Sequence, residues 1–255
     1  MLTWNVDGLN ENAEVDDLLG RTLSVIEEIL RIRPHVVFLQ ELVNFSFSII
    51  DQRCRNSFHI FRQSNCDKPY YVAILVHKAT MQVEGAPMPV RFPKSLMGRE
   101  GLYVAVKMKD DLRSPLIGFL TAHLESTRDY ACERKNQYEL CVKFIQNQQI
   151  DFCVFGGDLN ARESDVPKSI SCFDCWTLAG RPSDHQYTWD LARNKNVRLP
   201  NGAQARYRFD RIYFIPSRDT GKLELSKFEL VGTKPIPNLG HASDHFGILA
   251  EISLK

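Results

Sequence analysis

The chain has 255 residues, of which 44% belong to the hydrophobic set and 25% are charged. This composition excludes a disordered or fibrous chain and allows one large core, so we expect a single domain over residues 1–255. The net charge of +1 excludes binding to nucleic acid through a bulk positive field, so contact with DNA must rest on local clusters.

Cysteine usage and the lack of targeting signals predict a compartment. The seven cysteines have no framework spacing, and no signal peptide follows Met1, so we expect reduced thiols in a nuclear protein that also occurs in the cytoplasm. No apolar run reaches membrane-spanning length, so no membrane contact is expected. The chain begins and ends close to predicted strands, which suggests a catalytic core whose flanking regions are missing.

Hydrophobic periodicity predicts the elements of the first third of the chain. Apolar residues at helical spacing predict a helix over 16–33, and Pro34 ends it. A second helix is predicted over 45–53. Strands are predicted over 2–6, 36–39 and 70–77, and the second of these places Gln40 and Glu41 at its end.

The remaining elements are mostly strands. Residues 81–99 contain three prolines and predict a strand followed by an exposed loop. Paired strands are predicted over 101–108 and 116–122, and late strands over 209–216, 228–233 and 246–252. A helix over 133–147 is predicted to place Leu140, Phe144 and Ile145 on one side. Many strands with few, separated helices predict an α/β (α+β) four-layer sandwich, in which two stacked mixed β-sheets are flanked by helices.

The stretch that follows the strand predicted over 150–155 is the most informative. Gly156 and Gly157 are predicted to end this strand and to leave room for a group near the backbone. Asp158, Asn160 and Arg162 then offer a carboxylate, an amide and a guanidinium, a set that suits a water molecule and a phosphate. A Gly-Gly turn with an Asx cap is the simpler alternative for this motif alone.

Other polar residues stand at the ends of other predicted strands. Their short motifs are Trp4-Asn5-Val6-Asp7-Gly8, Leu39-Gln40-Glu41, Thr121-Ala122-His123-Leu124, Gly156-Gly157-Asp158-Leu159-Asn160, Phe209-Asp210-Arg211-Ile212 and Ser243-Asp244-His245. In this order they resemble the endonuclease/exonuclease/phosphatase superfamily over nearly the whole chain. Within it, the strings around Asn5, Glu125 and Asp158 resemble most closely the enzymes that remove tyrosine adducts from DNA 5′ ends.

The resemblance implies a metal site that holds Mg²⁺, with Mn²⁺ as a possible substitute. Glu41 would be the main ligand, and Asp7 and Asp244 would lie at or near the metal. Mg²⁺ prefers oxygen donors and often takes only one or two carboxylates beside substrate phosphate. Taken alone, Glu41 could instead cap a helix or pair with an arginine.

The resemblance also implies the catalytic residues. Asp158 would orient or deprotonate the attacking water, and an ordinary pKa of about 3.9 keeps an aspartate ionised at neutral pH. Asn5 and Asn160 would hold the phosphate and the water. His123 and His245 would flank the phosphate, with Asp210 orienting the His245 ring.

A further set is implied to contact DNA or the phosphotyrosyl link: Tyr71, Arg99, Ser126, Arg128, Arg162, Trp189 and Phe209. Aromatic side chains stack on bases without reading sequence, and arginines suit phosphate oxygens. Core packing is the alternative for the two last-named aromatics. The basic run over 193–211 is either a solvated loop or a contact for the DNA backbone.

These residues together predict a Mg²⁺-dependent phosphodiesterase. Its substrate would be the 5′-phosphotyrosyl link between DNA and a trapped topoisomerase II peptide, and the product a 5′-phosphate ready for DNA repair. The expected partners are DNA 5′ ends carrying the adduct on a single-stranded 5′ overhang, and we expect a monomer. A phosphodiesterase acting on abasic sites or RNA, a phosphatase of the same superfamily, and a non-catalytic binding module are the alternatives.

Overall fold

The computed structural model of the protein describes residues 1–9, 14–63, 68–166, 172–197, 199, 202–216 and 223–254. The helices are α1 (Val15–Ile32), α2 (Asn44–Cys54), α3 (Ala131–Gln146) and α4 (Cys175–Leu178). The strands of the first half are β1 (Leu2–Asn5), β2 (Val36–Leu42), β3 (Phe58–Arg62), β4 (Tyr71–His77), β5 (Met81–Arg91), β6 (Glu100–Met108) and β7 (Ile117–Thr121). Those of the second half are β8 (Phe152–Asp158), β9 (Phe173–Asp174), β10 (Trp189–Asp190), β11 (Arg206–Tyr207), β12 (Asp210–Pro216), β13 (Leu223–Val231) and β14 (Gly247–Leu254).

Two six-stranded sheets stack face to face. The first sheet has the strand order β13-β14-β1-β2-β4-β3, and the second has the order β5-β6-β7-β8-β12-β9. Each sheet mixes parallel and antiparallel pairs, because β1 runs parallel to β2 and β7 runs parallel to β8. A short hairpin of β10 and β11 stands apart from both sheets.

Alternation along β2 explains the layers. Val36 and Phe38 point into the core between the sheets, whereas Val37 and Leu39 point to the helix side, as the two-residue period of a strand requires. Helices α1 and α2 cover the outer face of the first sheet, and α3 covers the outer face of the second. The predicted four-layer α/β sandwich is therefore confirmed.

Two local expectations were wrong. Gly156 and Gly157 do not end β8, which runs on to Asp158 in register with β12. A side chain at Gly156 would overlap the Arg211 carbonyl oxygen, and one at Gly157 would overlap that of Ala122, so the glycines allow close strand packing. Leu140 is exposed rather than buried, and Tyr138, Cys141 and Val142 carry the packing of α3 instead.

The strand β3 was not predicted, because only Phe58 of its five residues is buried and the strand does not alternate cleanly. Among the described residues, no helix combines the length and the apolar character needed to cross a membrane.

Candidate active site

The sheet topology brings the ends of several strands to one rim. Parallel pairing of β1 with β2 sets Asn5 opposite Gln40, beside Glu41. Antiparallel pairing of β8 with β12 sets Asp158 directly opposite Asp210. Since β7 runs parallel to β8, the segment after β7 delivers His123 to the same rim. His245 arrives just before β14, next to β1.

Asp158 lies at the centre of this cluster and is 2% exposed. Its Oδ2 accepts a hydrogen bond from Asn5 Nδ2 at 2.9 Å. The same oxygen is 3.3 Å from His123 Nε2 and 3.8 Å from His245 Nε2. Burial favours the protonated form of Asp158, but the two histidines and the Asn5 amide outweigh it and lower its pKa. The carboxylate is therefore ionised and faces both histidines.

Asn160 and Asn5 are held in fixed positions by short-range bonds. Asn160 has a left-handed backbone (φ 47°), which asparagine tolerates, and its N–H donates to Asp158 Oδ1 at 3.0 Å. Its side-chain amide donates to the Leu124 carbonyl at 3.2 Å. The Asn5 Oδ1 accepts from the Asp7 N–H at 3.0 Å. The Asn5 Nδ2 group therefore points the other way and donates to the Asp158 and Glu41 carboxylates.

Glu41 occupies an irregular point of β2. The pairing of β2 with β4 shifts register between Leu39 and Leu42, and Glu41 has a φ of 56°. Such bulges re-aim side chains and cost about 1–3 kcal/mol in backbone strain. Here the bulge turns the carboxylate toward the rim, where Oε1 is 3.1 Å from Asn5 Nδ2 and 3.7 Å from His123 Nε2.

The two histidines differ in charge. Burial and the nearby Arg99 cation lower the pKa of His123 well below its ordinary value, so this ring is neutral. Burial also disfavours a charge on His245, but the Asp210, Asp244 and Asp158 carboxylates outweigh it and raise its pKa well above the ordinary value. His245 Nδ1 is 2.7 Å from Asp210 Oδ2, which fixes its ring with Nε2 facing the cluster.

The cluster is suited to a divalent cation. Oxygen or nitrogen atoms of Glu41, His123 and Asp158 all lie within 4.8 Å of one another. Burial, together with the Asp244 and Asp158 carboxylates, raises the pKa of Glu41 to about 7, and this crowding of acidic groups is relieved by a bound cation. Carboxylate and amide oxygens are the donors that hard cations such as Mg²⁺ prefer.

Two of the predicted site residues lie elsewhere. The Asp7 carboxylate is 2.7 Å from the Arg21 guanidinium, so it pairs with α1 and stays outside the Glu41 set. Tyr71, predicted to contact substrate, is 1% exposed; it packs against Phe47 of α2, and its hydroxyl donates to Asn44 Oδ1. Asp244 lies at the edge of the cluster, 4.0 Å from His245 Nε2.

Tyr70 takes the place predicted for Tyr71. Its ring centroid is 5.8 Å from that of His123, and its hydroxyl accepts a hydrogen bond from Arg99 Nε at 3.0 Å. The Arg99 guanidinium also donates to the Leu124 carbonyl and, at 2.8 Å, to Ser126 Oγ. Arg99 and Ser126 are thus joined at one wall of the cleft, whereas Arg128 is exposed.

A buried carboxylate anchors the loop that carries Arg99. Glu125 accepts hydrogen bonds from Ser95 Oγ, from the N–H groups of Leu96 and Met97, and from Gln137 Nε2. Ser95 Oγ in turn accepts from the Arg99 N–H at 2.8 Å. The motif around Glu125 was noticed in the sequence, but no pattern indicated this role.

Stacked rings form the opposite wall. Trp189 of β10 and Phe209 lie 5.9 Å and 4.9 Å, centroid to centroid, from Tyr207 of β11. Trp189 Nε1 donates to Asp244 Oδ2 at 3.0 Å, and the Phe209 ring is 6.4 Å from His245. The exposed Arg162 guanidinium lies 5.4 Å above the Tyr207 ring. Tyr207 was missed in the sequence because it stands inside the basic run.

That basic run is partly neutralised within the fold. Arg206 pairs with Asp190 at 2.8 Å. Arg208 and the buried Arg211 both approach Glu163 and Asp174. Arg198 lies outside the described residues. Arg193 and Lys195 instead donate to backbone carbonyls, so among the described residues of the run these two keep charge for the alternative of a contact with the DNA backbone.

Comparisons with known proteins identify the family. Residues 2–245 match the model of the endonuclease/exonuclease/phosphatase family. The chain belongs to this family. Tyrosyl-DNA phosphodiesterase 2 of Gallus gallus is 32% identical over 261 residues, covering 100% of the chain and 66% of the relative. The Homo sapiens protein of the same name is 30% identical over 261 residues, covering 100% of the chain and 68% of the relative.

Solved structures show the same fold. The crystal structure of D. rerio TDP2 complexed with single-strand DNA product superposes with a TM-score of 0.88 at 26% identity, covering 99% of this chain and 97% of that one. Truncated Caenorhabditis elegans TDP2 gives a TM-score of 0.82 at 31% identity, covering 98% and 94%. The family expected from the motifs is thus confirmed, and the chain spans about two thirds of the length of its curated relatives.

Proposed function

We propose that the protein hydrolyses the 5′-phosphotyrosyl link between DNA and a trapped topoisomerase II peptide and leaves a 5′-phosphate. The observation that carries the proposal is the convergence on Asp158 of Asn5, His123 and His245, on the fold of the tyrosyl-DNA phosphodiesterase 2 relatives. The relatives named for this activity align with the whole chain.

In this reading Asp158 orients the attacking water and accepts its proton. Its lowered pKa keeps it ionised, and its 2% exposure keeps bulk water from competing for it. The Asn160 amide group holds phosphate or water without adding negative charge, and the Asn5 amide group fixes the Asp158 and Glu41 carboxylates. Attack at phosphorus forms the new P–O bond and breaks the bond to the phenolic oxygen.

The two histidines and the metal site meet the charge that develops on the phosphate. The cationic His245, oriented by Asp210, donates to a non-bridging oxygen, and the neutral His123 lies on the other side. Glu41, with Asp158 nearby, would hold Mg²⁺ or Mn²⁺, which supplies charge neutralisation and substrate orientation. A tyrosine phenolate, whose conjugate acid has a pKa of about 10, leaves with less help than an alkoxide.

The stacked rings of Trp189, Tyr207 and Phe209 suit bases of a single-stranded 5′ overhang. A DNA adduct as substrate also favours a nuclear location, with some protein in the cytoplasm, and a monomer is sufficient because the described chain supplies every residue invoked. A fluorescently tagged chain and sedimentation analysis test these two points.

The test is cleavage of a 5′-phosphotyrosyl oligonucleotide in the presence of Mg²⁺, beside a duplex with an abasic site and a 5′-adenylated RNA. We expect turnover of the tyrosyl substrate and at least about 100-fold less of the other two. Preference for the abasic duplex or the RNA would replace the proposal with another activity of the family.

A further inference from the structure

A polar cavity is lined in part by Arg99, the same residue that bonds Tyr70 and Ser126 at the wall of the catalytic cleft. Its volume is about 650 Å³, and its wall includes Lys68, Arg91, Phe92, Ser95, Gly98 and Arg99. Among the described residues that line it, Glu100 is the one carboxylate, and it stands opposite Arg91 in the β5–β6 ladder. Within the described part of the chain, neither Lys68 nor Arg91 forms an ion pair. The cavity therefore carries excess positive charge.

Arg99 forms a wall shared by the cavity and the cleft. It is 8% exposed, and its guanidinium is fixed by the Leu124 carbonyl, Ser126 Oγ and the Tyr70 hydroxyl. The Tyr70 ring in turn lies 5.8 Å from His123. A group that extends from the cluster past Tyr70 and Arg99 therefore reaches the cavity.

The two sides of the cleft assign a direction to the substrate. A phosphodiester has two substituents, and the stacked rings beside His245 suit the nucleoside. The phenol then lies on the opposite side, next to Tyr70 and Arg99. Because the DNA strand ends at its 5′-phosphate, nothing of that strand continues beyond this point. What continues is the peptide that carries the tyrosine.

We propose that this cavity is a peptide subsite that receives the residues flanking the adduct tyrosine and prefers acidic side chains. The inference rests on the proposed function. It adds residues that determine which peptide adducts the enzyme prefers. Lys68 and Arg91 supply the unpaired positive charge, and Arg99 separates their cavity from the reacting phosphate. Both cations are partly or fully exposed, so each contributes a factor of a few in rate rather than an absolute requirement.

Single-stranded oligonucleotides test the subsite, because they carry no complementary strand that could occupy the cavity. Three 5′ adducts are compared: free tyrosine, a tripeptide with tyrosine between two glutamates, and the same tripeptide with glutamines. The variants are wild type, the double variant Lys68→Ala/Arg91→Ala, and Lys143→Ala. Lys143 lies on α3 outside this cavity, which makes it the matched control for loss of positive charge.

We expect wild type to favour the glutamate adduct over the glutamine adduct about 5-fold in kcat/KM at low salt, and the preference to shrink as salt rises. The double variant should lose this preference and cleave the free-tyrosine adduct within about 2-fold of wild type. Lys143→Ala should behave as wild type does.

Three results overturn the subsite. They are no glutamate preference in wild type, an unchanged preference in the double variant, and equal losses on all three adducts, which would assign Lys68 and Arg91 to DNA. In each of these cases wild type still cleaves the free-tyrosine adduct, so the proposed function stands. Failure of wild type to cleave that adduct overturns the proposed function and the subsite together.

Discussion

The two walls of the catalytic cleft are built in different ways. We call the side with Tyr70, Arg99 and Ser126 the polar wall, and the side with Trp189, Tyr207 and Phe209 the aromatic wall. On the polar wall a buried guanidinium has three hydrogen-bond acceptors, and its loop is anchored by Glu125. On the aromatic wall partly exposed rings are held mainly by stacking.

The difference indicates a division of labour. A network of buried hydrogen bonds fixes positive charge at one place, which suits the reacting phosphate and the departing phenolate. A stack of rings accepts any base, since every base has a π-face, and this suits DNA of any sequence. Asp158 lies between the walls, 3.3 Å from His123 and 3.8 Å from His245, so its carboxylate faces groups on both sides of the cleft.

The largest effect is expected where the walls meet. Asp158→Asn removes the base that both walls position, so kcat should fall at least about 1,000-fold. Asparagine keeps the shape but has one acceptor oxygen, so it keeps only one of the two bonds that Asn5 and the Asn160 N–H donate to Asp158; the melting temperature should therefore fall by a few degrees while the fold is retained. Steady-state kinetics and a thermal melt measure the two quantities, and a variant with more than a tenth of wild-type kcat would remove Asp158 from its central role.

The aromatic wall is expected to act through binding. Trp189→Ala removes one stacking surface, so KM for a single-stranded tyrosyl oligonucleotide should rise about 10-fold with kcat changed less than about 3-fold. Trp189→Phe keeps the ring and loses the bond to Asp244, and we expect it to stay within about 3-fold of wild-type KM. If kcat fell and KM did not rise in the alanine variant, the aromatic wall would act in the chemical step rather than in substrate binding.

The polar wall is expected to act through position. Glu125→Gln replaces an acceptor of four hydrogen bonds, so the free energy of unfolding should fall by about 2–3 kcal/mol at pH 7. Release of the loop that carries Arg99 should also lower kcat about 10-fold. The exposed Glu139→Gln on α3 provides the control. If kcat of Glu125→Gln equalled that of wild type, Arg99 would keep its position without Glu125, and the anchoring role would be contradicted.

The same carboxylate predicts a dependence of stability on pH. Burial opposes ionisation of Glu125, but hydrogen bonds from Met97, Gln137, Leu96 and Ser95 outweigh it and lower its pKa. Its stabilising effect is therefore complete above an unfolded-state pKa of about 4.3 and is lost as pH falls through the lower folded-state pKa. Urea unfolding at several pH values should show the gap between wild type and Glu125→Gln closing below about pH 4. A gap that is constant with pH would mean that ionisation of Glu125 contributes nothing.

The smallest effect is expected at the rim of the aromatic wall. Arg162 is exposed, with its guanidinium 5.4 Å above Tyr207, so Arg162→Ala should lower kcat/KM about 3-fold at low salt. If Arg162 contacts one phosphate of a single strand, the slope of log affinity against log salt should become shallower by about 0.7. The exposed Arg113→Ala should leave both quantities unchanged, and equal slopes for wild type and Arg162→Ala would exclude the phosphate contact.

Much of the fold and of the central cluster was predictable. Short buried apolar runs, each with a polar group at one end, predicted strands whose ends meet at one rim, and they do so for Asn5, Glu41 and Asp158 after their strands and for His245 just before β14. The many strands with few, separated helices also predicted two stacked sheets flanked by helices. These signals are local in the sequence, because they depend on the residue types within one strand.

The remaining features depend on partners that a local pattern does not contain. The resemblance assigned Tyr71 to the cleft, but Tyr71 is buried and the adjacent Tyr70 lies there, because two neighbouring tyrosines at the start of a strand do not show by sequence which one faces the cleft. Asp7 forms an ion pair with Arg21 of α1 instead of joining the Glu41 cluster, and only the packing of α1 shows this partner. Gly156 and Gly157 lie inside a strand because neighbouring carbonyls approach them.

Cleavage in ¹⁸O-labelled water tests the central claim most directly, namely that a water molecule held by Asp158 attacks the phosphorus between the two walls. With a 5′-phosphotyrosyl oligonucleotide and Mg²⁺, mass spectrometry should find one labelled oxygen in the DNA 5′-phosphate and none in the tyrosine. This product should be nearly absent with Asp158→Asn. Label in the tyrosine, or the same labelled product at the wild-type rate from Asp158→Asn, would contradict the account.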